Sequence, residues 1–259
     1  MKSFKYITSI FVWLYFITQV GATTPTELQK WVSQGNSFYQ KDQYEQAIEA
    51  YQKALTTDYQ SAEVYFNLGN SYYKLKQIAP AVYNYEMALL LKPNDSEIIT
   101  NLKYAQRMTL DDIKEVPKVG FANLIKSFVN TLHYDTWAWL GVFSFFVMLL
   151  SFMGYYLGAT TVQKRIFFIF IFVAIAIGIV SIAAGFKNKS IVDKEVYAVV
   201  FTDVVKVSSE PKATAEEAFT LHEGTKVLVL DSNHTWSKIQ IQDGKQGWIL
   251  DKDIKKLKL

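Results

Sequence analysis

Apolar residues in this chain fall into blocks that follow three different patterns. Through Leu28–Met108 they recur three or four residues apart, with polar turns between, which predicts amphipathic helices. Residues 137–158 (WAWLGVFSFFVMLLSFMGYYLG) and 166–186 (IFFIFIFVAIAIGIVSIAAGF) contain no charge and no polar face. From Glu195 onward the period drops to two in the β-branched runs VYAVVF, KVLVL and WSKIQI, which predicts strands. The expected chain is multidomain α + β: a helical array, a hairpin of two apolar helices and a small β-barrel.

Each uncharged run covers roughly 30 Å as a helix, the thickness of a bilayer's hydrocarbon core. Two transmembrane helices are expected, at 136–158 and 165–186. Trp137 and Trp139 sit at one end of the first and Tyr155 and Tyr156 at the other, where amphipathic rings prefer the interface. A pair of buried helices in a soluble core would show one polar face, and neither run does. At the N-terminus, Lys2 and Lys5 precede the apolar stretch Tyr6–Val20, and Val20-Gly21-Ala22 places small residues before a cut. This reads as a signal peptide over 1–22. An uncleaved signal anchor is the alternative, and both send the following residues across the membrane. Lys164 and Arg165 lie in the short join Ala159–Arg165 and favour a cytoplasmic turn, whereas Lys187, Lys189 and Lys194 pull the other way. The signal acts first and decides the reading: 23–136 and 187–259 outside the cytoplasm, in a multi-pass protein of a bacterial inner membrane. A cytoplasmic orientation requires the signal reading to fail.

The helical block contains a repeat. GNSFY at 35–39 returns as GNSYY at 69–73, and with it Trp31/Tyr65, Gly35/Gly69, Phe38/Tyr72, Ala47/Ala81, Tyr51/Tyr85 and Ala54/Ala88, all 34 residues apart. Glycine and alanine let two helices approach closely, and the large residues fill the space between them. The repeats run 28–61 and 62–95, and 96–108 supplies a capping helix. These letters resemble the tetratricopeptide repeat, with Tyr59 standing where the family usually has the proline kept at Pro93. Three repeats are the usual minimum, so the array is expected to lean on a partner or on the membrane. The resemblance places Gln29, Val32, Asn36 and Tyr39, then Glu63, Phe66, Asn70 and Tyr73, on a concave groove that binds a protein partner. Asn offers donor and acceptor to a peptide, and Tyr offers area with a hydroxyl. For Asn36 and Asn70 the other reading is a hydrogen bond between adjacent helices, and both roles can coexist. In the subclass that clamps a terminal carboxylate, Asn36 and Asn67 match the asparagine positions. Val32, Glu97 and Asn101 occupy the basic ones, so that specificity is not expected.

Between array and hairpin, 109–134 reads as a linker containing Pro117 and Gly120, followed by an amphipathic helix. Phe121, Leu124, Ile125, Phe128 and Leu132 share one face, destined for the headgroup region or for the repeat cap. The β module, 195–259, carries the hairpin signal Asp243-Gly244. Gly224 precedes its second strand, Trp236 opens the third and Gly247-Trp248-Ile249 starts the fourth. These features resemble bacterial SH3-type domains. That implies a ligand surface at Trp236, Trp248, Glu216 and Glu217, with Trp236 either a platform or barrel packing. The family's proline and tyrosine after the Gly-Trp step are absent, since 250–254 reads LDKDI.

Composition removes several chemistries. With 27 basic and 24 acidic residues and no basic stripe, nucleic acid is not expected. The absence of cysteine excludes thiolate metal sites and cysteine nucleophiles. His133, His222 and His234 are scattered without metal spacing, and Asp111-Asp112 and Glu216-Glu217 read as solvated faces. No catalytic residue, metal or cofactor is expected. The order of modules resembles the BatE family of Bacteroides aerotolerance-type operons. It implies a scaffold in an envelope stress complex, beside membrane proteins with von Willebrand factor A domains and a MoxR-type ATPase. The alternative is an anchor that binds cell-wall peptidoglycan through the SH3-type module.

Overall fold

A computed structural model describes residues 26–56, 60–111 and 120–258; the expected signal peptide lies outside the described residues. The array comprises α1 (Thr26–Gln40), α2 (Tyr44–Leu55), α3 (Ala62–Lys74), α4 (Ile78–Leu91) and α5 (Ser96–Gln106). Ser61 and Asp95 cap α3 and α5 with their side-chain oxygens, satisfying amides that a helix start leaves unpaired. The two intra-repeat turns are copies of each other. Asp42 and Lys76 both hold φ 58°, and Gln43 N and Gln77 N donate to Phe38 O and Tyr72 O at 3.0 Å.

The repeated glycines are required by the tyrosines facing them. A Cβ on Gly35 would lie 2.5 Å from Tyr51 Cε1, and one on Gly69 would lie 2.8 Å from Tyr85 Cδ1. Both rings are buried, so the helices of each repeat close over a ring that fills the space left by the missing side chain.

Seven strands follow: β1 (Val196–Val200), β2 (Val204–Ser208), β3 (Glu217–His222), β4 (Lys226–Asn233), β5 (Trp236–Gln240), β6 (Gln246–Leu250) and β7 (Ile254–Lys256). They form one antiparallel sheet in the order β3-β2-β6-β5-β4-β1-β7. It curls round a single core that includes Val200, Val207, Leu221, Ile239, Ile249 and Ile254. The expected small barrel is not closed. β3 and β7 are the two edges of the sheet, and the three-residue β7 offers too short a ladder to seal it. Gly247 is fixed by close approach, because a Cβ there would stand 2.5 Å from Val207 Cγ1.

The array leans on this sheet. Val199 and Leu257 belong to one core with Val82, Tyr85, Met87, Ile98 and Leu102. The two repeats differ accordingly on the outer face of their second helix. Glu45, Glu49, Gln52 and Lys53 of α2 are exposed, whereas their counterparts Ala79, Tyr83, Glu86 and Met87 of α4 are buried. Phe201 packs edge-on to Tyr83, with ring centroids 5.7 Å apart, and Lys255 Nζ lies 4.2 Å from the Tyr83 ring. Lys226 Nζ donates to Glu86 Oε2 at 2.6 Å. The sheet thus covers on the second repeat a face that the first repeat leaves to solvent.

Among the described residues, two helices are long and apolar enough to cross a membrane: α7 (Tyr134–Leu157) and α8 (Thr161–Lys194). Small residues line their contact, as expected where no hydrophobic force drives packing. Ser144, Ser151, Ala174, Ser181 and Ala184 are buried, whereas Phe143, Phe146, Leu150, Phe170 and Ile179 are exposed outward. The turn between them is shorter than expected. Thr160 and Gln163 form a capping box that starts α8 at Thr161, so Lys164 and Arg165 lie in its first turns. At its other end α8 runs eight residues beyond the apolar run, to Lys194, and leads through Glu195 into β1.

Candidate functional site

The asparagine of the repeated word and a tyrosine from the second helix of each repeat build a polar ladder. Tyr51 Oη donates to Asn36 Oδ1 at 2.6 Å, and Asn67 Nδ2 donates to the same oxygen at 3.2 Å. One repeat later Tyr85 Oη and Asn101 Nδ2 both donate to Asn70 Oδ1, at 2.7 and 2.9 Å. Burial pushes both tyrosine hydroxyls well above their ordinary range, so they remain donors throughout physiological pH. Each asparagine oxygen thereby ties its own repeat to the next. The structural reading of Asn36 and Asn70 is realised, and it leaves their Nδ2 groups as the donors they have to offer a ligand.

A cavity of about 310 Å³ opens beside the second ladder. It gathers Tyr39, Asn70 and Tyr73 from the expected set with Lys74, Tyr85, Glu97, Asn101 and Tyr104. The remaining expected residues are distributed differently. Gln29 and Glu63 are exposed and Val32 is half-buried against the first-repeat core. Phe66 packs on Tyr85, with centroids 6.0 Å apart, and Asn36 and Asn67 serve the first ladder. Glu97, Asn101 and Tyr104 come from the capping helix. The 34-residue register reaches them, since Asn67 maps onto Asn101 and Asn70 onto Tyr104. The hydroxyls of Tyr39, Tyr73 and Tyr104, amide donors and one charge of each sign can hold an extended backbone through hydrogen bonds, with rings flanking its side chains.

These repeats match known family models. Residues 35–76 match the model for the TPR repeat, and residues 62–95 match the model for the tetratricopeptide repeat. The helical array is built of tetratricopeptide repeats. Such repeats imply protein partners. Among curated proteins, none matches this chain.

The second expected surface is partly assembled. Trp236 pairs with Leu250 and Lys238 with Trp248 across β5 and β6, so both tryptophans lie on one half-exposed face. Glu217 accepts from Thr220 Oγ1 at 2.6 Å and is engaged at the surface by Lys206 Nζ at 3.0 Å; the Thr220 hydrogen bond, and after it Lys206, hold its carboxyl below the usual range. Glu216 is exposed.

Asp111 does not lie on the solvated face expected for it but is bound to the sheet. Its carboxylate accepts from Thr225 Oγ1 at 2.6 Å and from His222 N at 2.8 Å, and lies 2.7 Å from His222 Nδ1; Asp112 lies outside the described residues. Beside it Gly224 holds φ +82°, and a Cβ there would meet Thr109 and Ile78 below 3.0 Å. Burial raises the Asp111 carboxyl, but the hydrogen bonds from Thr225 and His222 outweigh it and leave the group below its ordinary value. A depressed folded-state value contributes stability above the unfolded value of about 3.9, lost as pH falls through the folded one. Acidifying through the carboxylate range should therefore lower the protection factor of the His222 amide, its exchange being compared with the intrinsic rate at each pH, and Asp111→Asn should flatten that dependence. Equal pH dependence in both proteins would show that Asp111 does not hold this junction.

Proposed function

We propose that this protein is a non-catalytic scaffold of a bacterial inner membrane, whose repeat groove holds a segment of a partner protein. The observation that carries this reading is the cavity framed by Tyr39, Tyr73 and Tyr104, in repeats tethered to two helices with an apolar outer surface. α7 and α8 extend about 36 and 51 Å at 1.5 Å per residue, enough to span a hydrocarbon core of about 30 Å. In this reading both cross the bilayer, with the repeats and the sheet together on the periplasmic side. The BatE-like order of modules supports a place in an envelope stress or aerotolerance complex. Partners would then be membrane proteins with von Willebrand factor A domains. The resemblance of 195–259 to SH3-type domains supports a second, weaker contact through Trp236 and Trp248.

The test is co-purification from detergent. Tyr39→Ala with Tyr73→Ala removes groove area and leaves both asparagine ladders intact, which Asn36→Ala or Asn70→Ala would not. Loss of the partner that follows the wild-type chain is the expected result. Undiminished recovery of every partner would remove the groove from the account.

A further inference from the structure

A short helix, α6 (Phe121–Val129), leaves four of its apolar residues exposed on one side. Phe121 is 78% exposed, Leu124 68% and Phe128 51%, and Ile125 is exposed as well; the spacing puts all four on one face. The other side is fastened to the head of the hairpin. Lys126 forms an ion pair with Glu195, just beyond α8. Trp137 Nε1 donates to Val129 O at 3.0 Å, and Asn188 Nδ2 donates to Asn130 Oδ1 at 3.0 Å. Val129 is buried with Trp137 and Ala184. The contact with the repeats comes after the helix, where Asn94 Nδ2 donates to Thr131 O at 3.4 Å. The repeat cap therefore does not cover the apolar face. That face is contiguous with the hairpin, because the Phe128 ring lies 5.5 Å from the ring of Trp137 in the first turn of α7.

We propose that α6 lies in the headgroup region of the bilayer, with Phe121, Leu124, Ile125 and Phe128 at the acyl boundary. This rests on α7 and α8 being the spans. A helix with one apolar face settles about 5–10 Å into that boundary, and here the face adjoins the point where the first span begins. The soluble body then has two attachments to the membrane: the unbroken passage from α8 into β1, and α6 beside it. A partner protein seated on α6 would have to displace headgroups along the same edge.

The chain has no cysteine, so single-cysteine variants of the full protein can be spin-labelled without background. Leu124→Cys and Ile125→Cys probe the apolar face, and Ser127→Cys probes a flank of the helix. Ile169→Cys, at a 61% exposed position of α8, provides the lipid reference. In phosphatidylethanolamine–phosphatidylglycerol vesicles, the ratio of oxygen to nickel-complex accessibility should be several-fold higher at 124 and 125 than at 127, approaching 169. Values at 124 and 125 equal to 127, with 169 lipid-exposed, would overturn the placement of α6 and leave the spans standing. A water-exposed 169 would overturn both. Dipolar broadening between labels at 124 would show a second copy on this face and overturn the proposal as well.

Discussion

Replacing Lys226 by Met is expected to destabilise the docked unit of repeats and sheet by about 3–5 kcal/mol, the usual effect of stranding a buried charge. The Glu86 side chain is 7% exposed, and Lys226 Nζ is its cation, 2.6 Å away. Lys226 also lies 4.7 Å from the Tyr197 ring, so its loss opens the packing between α4 and β1. Adding Glu86→Gln should recover most of the deficit, because a neutral pair leaves no unpaired charge inside. Denaturant unfolding of the detergent-solubilised chain reads both effects. A single variant within about 0.5 kcal/mol of wild type, as for an ordinary surface change, would mean that this pair does not hold the units together.

Gly69→Val should destabilise by about 3 kcal/mol, the upper part of the range for overpacking a filled core. Gly→Ala in a helix ordinarily gains about 1 kcal/mol of propensity, so a loss even for Gly69→Ala is diagnostic. The first carbon added would meet Cδ1 and Cε1 of Tyr85 at 2.8 Å. That ring cannot yield easily, because it is buried and its hydroxyl is fixed on Asn70. Gly141→Ala is the control, since its Cβ would find Ile182 at an ordinary 3.6 Å. Equal tolerance at both positions would refute the close-packing account of the repeated word.

How much of this was legible in advance depended on whether the information was local. The repeats wrote themselves twice, so Gly35, Tyr51 and their partners could be placed by register alone. The apolar helices were legible because a run without charge has few folded alternatives. The docking of the sheet on α4 was not, since it joins residues as far apart as Glu86 and Lys226. One signal was present all the same. Ile78–Leu91 is apolar on nearly every side, and such a helix must be covered all round; Tyr83 and Met87 stand where the first repeat has Glu49 and Lys53. Asp111 carried no comparable signal, because an acid in a polar stretch reads the same whether or not a distant Thr225 binds it. Sheet closure was equally hidden, since alternation specifies which face is buried and not whether the edge strands meet. The groove fell between these cases: Tyr39, Asn70 and Tyr73 followed from the register, while Tyr104 required carrying the register into the incomplete repeat.

The most direct test of the central claim is site-specific photo-cross-linking from inside the groove in living cells. A photoreactive residue at Tyr73 should capture a single partner, and the product should disappear when Tyr39 is changed to Ala. The same residue at Gln46, on the exposed side of α2, should not capture it. Capture from Gln46 with none from Tyr73 would contradict the account.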